Sequence, residues 1–392
     1  MDIPLLDLKA QYKSLRMEIE GKIREVMESQ MFILGSEVEA LERELADYSG
    51  VPFGVGVSSG SDALIISLMS LGVGPGDAVI TSPFTFFATA GAIARIGAVP
   101  LFCDIDPVTY NLCPDRLEEV IEAEISANGA DYIKAIIPIH LYGQCADMTR
   151  IMQIARKHEL YVIEDACQAV GAEYPGESGV RKACGLGTMG TLSFFPSKNL
   201  GGAGDGGMVL TRDEDLAAKL KLLRVHGGHD RYYHDTLGGN FRLDAIQAAV
   251  LRIKLRHLDG WQRAKRENAA RYDRLFEESG LTVQGRVKTP EPIYRSLGVE
   301  NYHIYHQYVI EVDERDKLQA FLKEQGIASA VYYPLPLHLQ KCFASLGYRI
   351  GDFPVSEEAA GKVLALPIYA ELTPEQQETI VSAVSRYYKE RH

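Results

Sequence analysis

The sequence predicts an α/β chain: a large, doubly wound, mainly parallel sheet domain followed by a smaller α+β domain. Three observations carry this. From residue 55 to about 225, short apolar runs alternate with helical stretches, the signature of parallel strands joined by crossover helices. Beyond about residue 285 that alternation gives way to a looser mixture of strands and helices. A chain of 392 residues is long enough for two cores. The expected division is 1–250, N-terminal helices and the large α/β domain, and 251–392, a linking helix and the small domain.

The elements follow in order. Tyr12, Leu15, Ile19, Ile23, Val26 and Met27 recur at three- and four-residue steps and predict a first helix. A second helix follows Ser36, with Glu39 three residues on as a capping box. Strands are expected at Ala78–Thr81, Val99–Cys103, Ala135–Ile139 and Tyr161–Glu164, and helices between them at Ala88–Ile96 and Asp147–His158. Leu192–Phe195 and Gly207–Thr211 read as a hairpin-like pair. Asp244–Glu278 reads as one long or bent helix. After it come a strand at His306–Val312, a helix at Arg315–Gln325, a strand at Ala328–Tyr333, and helices at Ser356–Leu364 and Pro374–Tyr388.

Lys198 lies between an aromatic strand end, Ser193-Phe194-Phe195-Pro196, and the tract Gly201-Gly202-Ala203-Gly204-Asp205-Gly206-Gly207. Small neighbours leave a lysine room to swing between two covalent states. An amine shielded by apolar groups gives up its proton more easily and can attack a carbonyl. Taken alone, the lysine reads as a turn cap. The run Tyr161-Val162-Ile163-Glu164-Asp165-Ala166-Cys167-Gln168-Ala169 adds a second signal. It reads as a buried parallel strand delivering Asp165 at its carboxyl end, where open α/β sheets place their ligands. An aspartate there fits a helix cap, but beside a Schiff-base lysine it has a specific task. Pyridoxal 5'-phosphate (PLP) is an electron sink only while its ring nitrogen is protonated, and an aspartate holds that proton. Third, Val55–Leu64 runs from a short strand through Ser58-Ser59-Gly60-Ser61-Asp62 into an apolar helix. Helix-start amides and hydroxyls suit a phosphate there, or an ordinary N-cap. The stretch Gly202–Gly207 matches G-x-G-x-x-G, but it enters a strand instead of opening a helix, which excludes a dinucleotide fingerprint.

Composition narrows the field. Hydrophobic residues make up 46% and charged residues 24%, ordinary for a globular protein. Lys and Arg number 41 against 53 Asp and Glu, a net charge of −12, and no dense basic block occurs. Nucleic-acid and membrane-surface partners are disfavoured, and an anionic substrate needs local positive groups. Cysteines at 103, 113, 145, 167, 184 and 342 show no CxxC spacing, so neither a metal site nor a redox pair is expected. With no secretory signal pattern, a cytoplasmic protein with free thiols is expected. Cys167 reads as a small filler beside the cofactor, not a nucleophile.

Several motifs in one order point further. These are Asp7-Leu8-Lys9-Ala10-Gln11-Tyr12, Phe32-Ile33-Leu34-Gly35, Ser59–Leu64, Phe84-Thr85-Phe86-Phe87-Ala88-Thr89, Glu164–Ala169, Ser193–Lys198 with its glycines, Gly239–Ala249 and Tyr332–His338. In that order they resemble the DegT/StrS family of PLP-dependent nucleotide-sugar aminotransferases, over nearly the whole chain. The resemblance implies an aspartate-aminotransferase-like (fold type I) PLP-dependent transferase. It implies that Lys198 carries the Schiff base and moves the proton, and that Asp165 holds the ring nitrogen. Gln168 would contact the cofactor's phenolic oxygen and Phe86 would stack on its ring. Gly60, Ser61, the Asp62 amide and Ser193 would cradle its phosphate. Asn240 would reach that phosphate from the neighbouring subunit of a homodimer with composite sites.

The same resemblance implies L-glutamate as donor, pyridoxamine 5'-phosphate in the second half-reaction, and a UDP- or dTDP-linked keto sugar as acceptor. The product would be an amino sugar for a polysaccharide, lipid or glycoside. Arg231, Arg242, His306, Tyr333 and His338 fall in segments that line the sugar-nucleotide site of relatives, although a surface ion pair accounts for either arginine as well. The Gly239–Arg242 and Tyr333–His338 segments lean towards members acting on 3-keto over 4-keto sugars. Alternatives are a sugar dehydratase (relatives of that kind carry histidine in place of the lysine), a cyclitol or amino-acid aminotransferase, and a non-catalytic PLP-binding regulatory protein.

Overall fold

The computed structural model describes residues 2–177, 179–230 and 232–389. Helices α1 (Leu8–Ser29) and α2 (Ser36–Ser49) lead into β1 (Phe53–Val57), α3 (Gly60–Ser70), β2 (Ala78–Thr81), α4 (Ala88–Arg95) and β3 (Val99–Phe102). Then follow α5 (Pro114–Asn128), β4 (Ile133–Ile137), α6 (Met148–Lys157), β5 (Tyr161–Asp165), the hairpin β6 (Glu173–Gly176) and β7 (Gly179–Lys182), β8 (Met189–Ser193), β9 (Gly207–Thr211) and α7 (Glu214–Leu223). The remainder is α8 (Ala245–Leu255), α9 (Leu258–Glu278), β10 (Val287–Lys288), β11 (Tyr308–Val312), α10 (Arg315–Glu324), α11 (Pro354–Lys362), β12 (Val363–Leu366) and α12 (Pro374–Lys389).

Seven strands form one sheet in the order β1-β9-β8-β5-β4-β2-β3. Only β9 runs against the rest, pairing antiparallel with both β1 and β8. The others are parallel, as short apolar runs joined by crossover helices require. Successive residues serve opposite faces. Ile80, Ile136 and Val162 join the core under α2, α6 and α8, whereas Val79, Ala135 and Ile163 join the core under α3 and α7. A smaller antiparallel sheet, β10-β11-β12, packs with α9, α10 and α12 around Tyr272, Phe276, Tyr308 and Tyr387. Ile3 is buried in that second core, and its amide donates to the Gly326 carbonyl at 2.8 Å.

Four expectations need correcting. Ser36 caps nothing: Gly35 is the N-cap of α2 at φ 81°, and no side chain bonds the helix start. The long helix breaks into α8 and α9 at Arg256 and His257. Ala328–Tyr333 is not a strand: Ala330 makes a single bridge to Ala365 of β12, and β12, at Val363–Leu366, is the strand that pairs with β11. Helix α11 therefore stops at Lys362 instead of reaching Leu364.

The sheet's carboxyl edge gathers the segments of interest. The turns after β1, β2, β5 and β8 carry Ser58–Gly60, Ser82–Phe86, Asp165–Gln168 and Ser193–Lys198. Among the described residues, no helix is long and apolar enough to cross a membrane.

Candidate active site

Those turns open onto a cavity of about 690 Å³, bounded on its far side by α9, by the chain around Ile368–Glu371 and by residues 5–8. Lys198, Asp165, Gln168, Phe86, Ser61 and Ser193 all face it. Lys198 sits in a turn closed by its own amide donating to the Phe195 carbonyl at 2.8 Å. The Gly202 amide returns to the Phe194 carbonyl at 2.8 Å, and the buried Lys254 ammonium donates to the Gly201 carbonyl at 2.8 Å. The glycines therefore serve a tightly folded loop rather than a nucleotide turn.

Asp165 ends β5, with its backbone tied to Pro138 and His140 in the segment that follows β4. Its carboxylate is aimed by two donors, the Thr89 hydroxyl at 2.8 Å to Oδ2 and the Cys167 amide at 3.2 Å to Oδ1. Burial, reinforced by the Asp165 charge, pushes the Cys167 thiol well up, so this cysteine is a poor nucleophile. The preceding Glu164 is fully buried and collects the amides of Cys184, Leu186 and Gly187 together with Nε2 of His140. The Ala146 amide donates to Nδ1 of His140, so Nε2 carries the hydrogen that Glu164 accepts.

At the start of α3, the Ser59 hydroxyl caps the Asp62 amide at 3.0 Å, and both serine hydroxyls, 58 and 59, donate to the Asp62 carboxylate. The Asp62 amide is thus engaged within the cap, whereas Ser61 faces the cavity. Gly60 packs so closely that a Cβ there would stand 2.6 Å from Ser193 Cβ and 3.2 Å from Cys167 Sγ. The phenyl ring of Phe86 is 56% exposed beside the cavity, an open apolar platform, and lies 6.4 Å from the Tyr333 ring. Gln168 accepts from the Tyr142 amide and donates through Nε2 to the Tyr333 hydroxyl at 3.0 Å. Burial raises the Tyr333 phenol, which stays protonated as a hydrogen-bonding group.

His306 lines the same cavity. Burial, then the charge of Lys198, holds its imidazole well below the ordinary range, so it is neutral. The remaining candidates lie elsewhere. Asn240 is exposed and does not line this cavity. Arg242 is half-buried beside the end of β1, with Nε unpartnered. His338 is 2% exposed and packs on Phe353 with Nε2 against Glu357. Arg231 falls outside the described residues. The structure adds Thr89, Lys265 and Asn199, which no local pattern marks. Thr89 does sit within the aromatic motif that begins at Phe84.

The arrangement fits PLP. It offers an amine, a carboxylate aimed by two donors, a bare aromatic face and a helix start with no room for an extra methyl group. The model of the DegT/DnrJ/EryC1/StrS aminotransferase family matches residues 13–385.

The chain belongs to that family.

A Geobacillus stearothermophilus protein called "Pleiotropic regulatory protein" is 52% identical over 99% of both chains. A UDP-N-acetyl-3-dehydro-α-D-glucosamine 3-aminotransferase of Acidithiobacillus ferrooxidans is 44% identical over 98% of this chain and 97% of its own. DesV of S. venezuelae, solved in complex with a ketimine intermediate, superposes with a TM-score of 0.89 at 37% identity, covering 98% of each chain. As a member of the DegT/DnrJ/EryC1/StrS family the chain has the fold of PLP-dependent aminotransferases and is one of them. Bound PLP supplies an electron sink for an amine joined to it. To such a group this cavity offers the amine of Lys198, the carboxylate of Asp165 and the open ring face of Phe86, which would hold it.

Proposed function

We propose that this enzyme moves an amino group from L-glutamate to a keto group of a UDP- or dTDP-linked sugar, with a C3 ketone favoured over C4. The observation that carries the reading is the convergence of Lys198, Asp165 and Phe86 on one cavity at the sheet's carboxyl edge. The roles of Gln168 and Ser193 around the cofactor rest on the same convergence. The C3 preference is supported by the name of the 44% identical relative, a 3-aminotransferase. A homodimer is supported by the exposed position of Asn240, which needs a second copy if it is to reach a cofactor.

The test is direct. The PLP-loaded protein is incubated with L-glutamate and a panel of UDP- and dTDP-linked 3-keto and 4-keto sugars. Release of 2-oxoglutarate should match the appearance of a primary amine on a 3-keto sugar. Borohydride should fix PLP to the native chain and not to Lys198→Ala. Amination of no ketone in the panel would remove the sugar reading.

The name of the 52% identical relative favours a second reading, a regulatory protein that holds PLP without turning over. Under that reading PLP binds and glutamate yields no 2-oxoglutarate with any acceptor.

A further inference from the structure

Asn199 follows Lys198 and lines the same cavity. Its Oδ1 receives Nδ1–H of His306 at 2.8 Å and the ammonium of Lys265 at 3.2 Å. An ammonium demands an acceptor, which fixes which end of the amide faces it. Nδ2 therefore points away, and it is buried with no hydrogen-bond partner. Lys265 projects from α9, is 8% exposed and lines the same cavity as Lys198. No carboxylate among the described residues pairs with it, and Glu371, also on the cavity wall, acts on it only from a distance. Burial holds the amine down to about 7.

A buried amine without a counter-ion and a buried amide N–H without an acceptor are both unfavourable. One anionic group reaching both relieves both. No arginine lines the cavity among the described residues, and Lys265 is the lysine left once Lys198 is committed to the cofactor. A single positive charge, in a cavity also lined by Asp7, Asp205 and Glu371, suits one carboxylate. A diphosphate would want forked, bidentate donors and would bring more negative charge among those acids.

Resting on the aminotransferase reading above, we propose that Lys265 Nζ and Asn199 Nδ2 form the subsite for a carboxylate of the amino donor. Neutral His306 holds the Asn199 carbonyl and so fixes the orientation of its N–H end. Lys265 and Asn199 are binding residues here, and His306 is a positioning residue.

Trp261 is the single tryptophan of the chain and lines the same cavity, so its fluorescence reports occupancy. The PLP-loaded full chain is titrated with glutarate, a dicarboxylate with no amine to react, and separately with inorganic phosphate and UDP. Glutarate should give a saturable change, weakened about tenfold or more by Lys265→Met, as the loss of one charge-assisted hydrogen bond implies. Lys265→Arg should restore much of it. Asn199→Asp should weaken glutarate as strongly, because the new acid pairs with the lysine and removes the free N–H. Phosphate and UDP should bind alike in native protein and Lys265→Met. In turnover, Lys265→Met should raise KM for L-glutamate about tenfold with KM for the keto sugar unchanged. Glutarate binding indifferent to Lys265→Met and Asn199→Asp would overturn the proposal, as would a Lys265 dependence confined to phosphate or UDP. The titration needs no turnover, so its failure is distinct from a failure to aminate any sugar.

Discussion

Oδ2 of Asp165 accepts the hydroxyl hydrogen of Thr89 at 2.8 Å, across 76 residues of sequence. Thr89 lies in the first turn of α4 and Asp165 at the tip of β5, so the bond exists only because β2 and β4 bring those two ends together. The threonine leaves the carboxylate one orientation.

Replacing Asp165 by Asn keeps the shape and removes the charge that, on the proposed reading, holds the ring nitrogen's proton. Turnover should fall by about 10²-fold or more, the low end of what a positioned proton partner contributes. Thr89→Val leaves Oδ2 without its donor, and a hydrogen bond to a charged group contributes ~1.5–3 kcal/mol. Turnover of Thr89→Val should therefore fall about tenfold, with the bound cofactor's absorbance changing as the ring nitrogen loses its partner. Unchanged spectra and rates in both variants would remove Asp165 from the site.

At the proposed phosphate end of the site, Gly60 leaves no room for a side chain. A methyl group there would stand 2.6 Å from Ser193 Cβ, inside van der Waals contact, at the first residue of α3. Gly60→Ala should push the helix start away from Ser193 and lower PLP affinity, with an overpacking loss of ~1–3 kcal/mol in stability. Cofactor titration and thermal unfolding of the apoprotein separate the two effects. PLP affinity equal to that of the native protein would mean that the phosphate sits elsewhere.

The parts of the site that are legible in sequence are those whose chemistry is written locally. Lys198 is readable because its aromatic and glycine neighbours fall within a few residues, and Asp165 because one apolar run ends on it. The parallel sheet is readable because buried strands must be apolar on both faces. What escapes is set by distant pairing. Lys265 meets Asn199 across 66 residues and Thr89 meets Asp165 across 76. Ala328–Tyr333 has strand-like residues, but it meets the open edge of β12 at one bridge only, Ala330 to Ala365. Ser36 looks like a cap, yet the left-handed backbone at Gly35 places the helix start one residue earlier.

Glu164 supports the site from beneath. Its two oxygens accept three backbone amides at 2.7–2.8 Å and the His140 Nε2 hydrogen at 2.9 Å, with no access to water. A glutamine there must turn an NH₂ group towards donors on one side or the other. Glu164→Gln should cost ~3 kcal/mol or more, since a buried acceptor is replaced by a donor with nothing to receive it. Urea unfolding measures this. A loss below ~1 kcal/mol would mean that the loop at 184–187 re-forms its bonds another way.

Lys265 also leaves a signature in stability against pH. In the unfolded chain its amine keeps a proton up to about 10.5, whereas burial in the folded chain lowers that to about 7, with Glu371 opposing the shift only in part. Between those two values the unfolded state binds more protons than the folded state, so this group makes stability rise with pH across the window. Below about 7 the amine is charged in both states, and the full cost of burying that charge is present. Lys265→Met removes the group. The variant should therefore be more stable than the native protein near pH 7, and the gap should close as pH approaches 10.5. Other ionisable groups titrate in the same range, but they are common to both proteins and cancel in the difference. Glutarate should narrow the gap at pH 7 by giving the native amine its missing counter-ion, and it should do nothing for the variant. A gap that stays constant from pH 7 to 10.5 would mean that the Lys265 amine is solvated in the folded protein, and the carboxylate subsite would lose its physical basis.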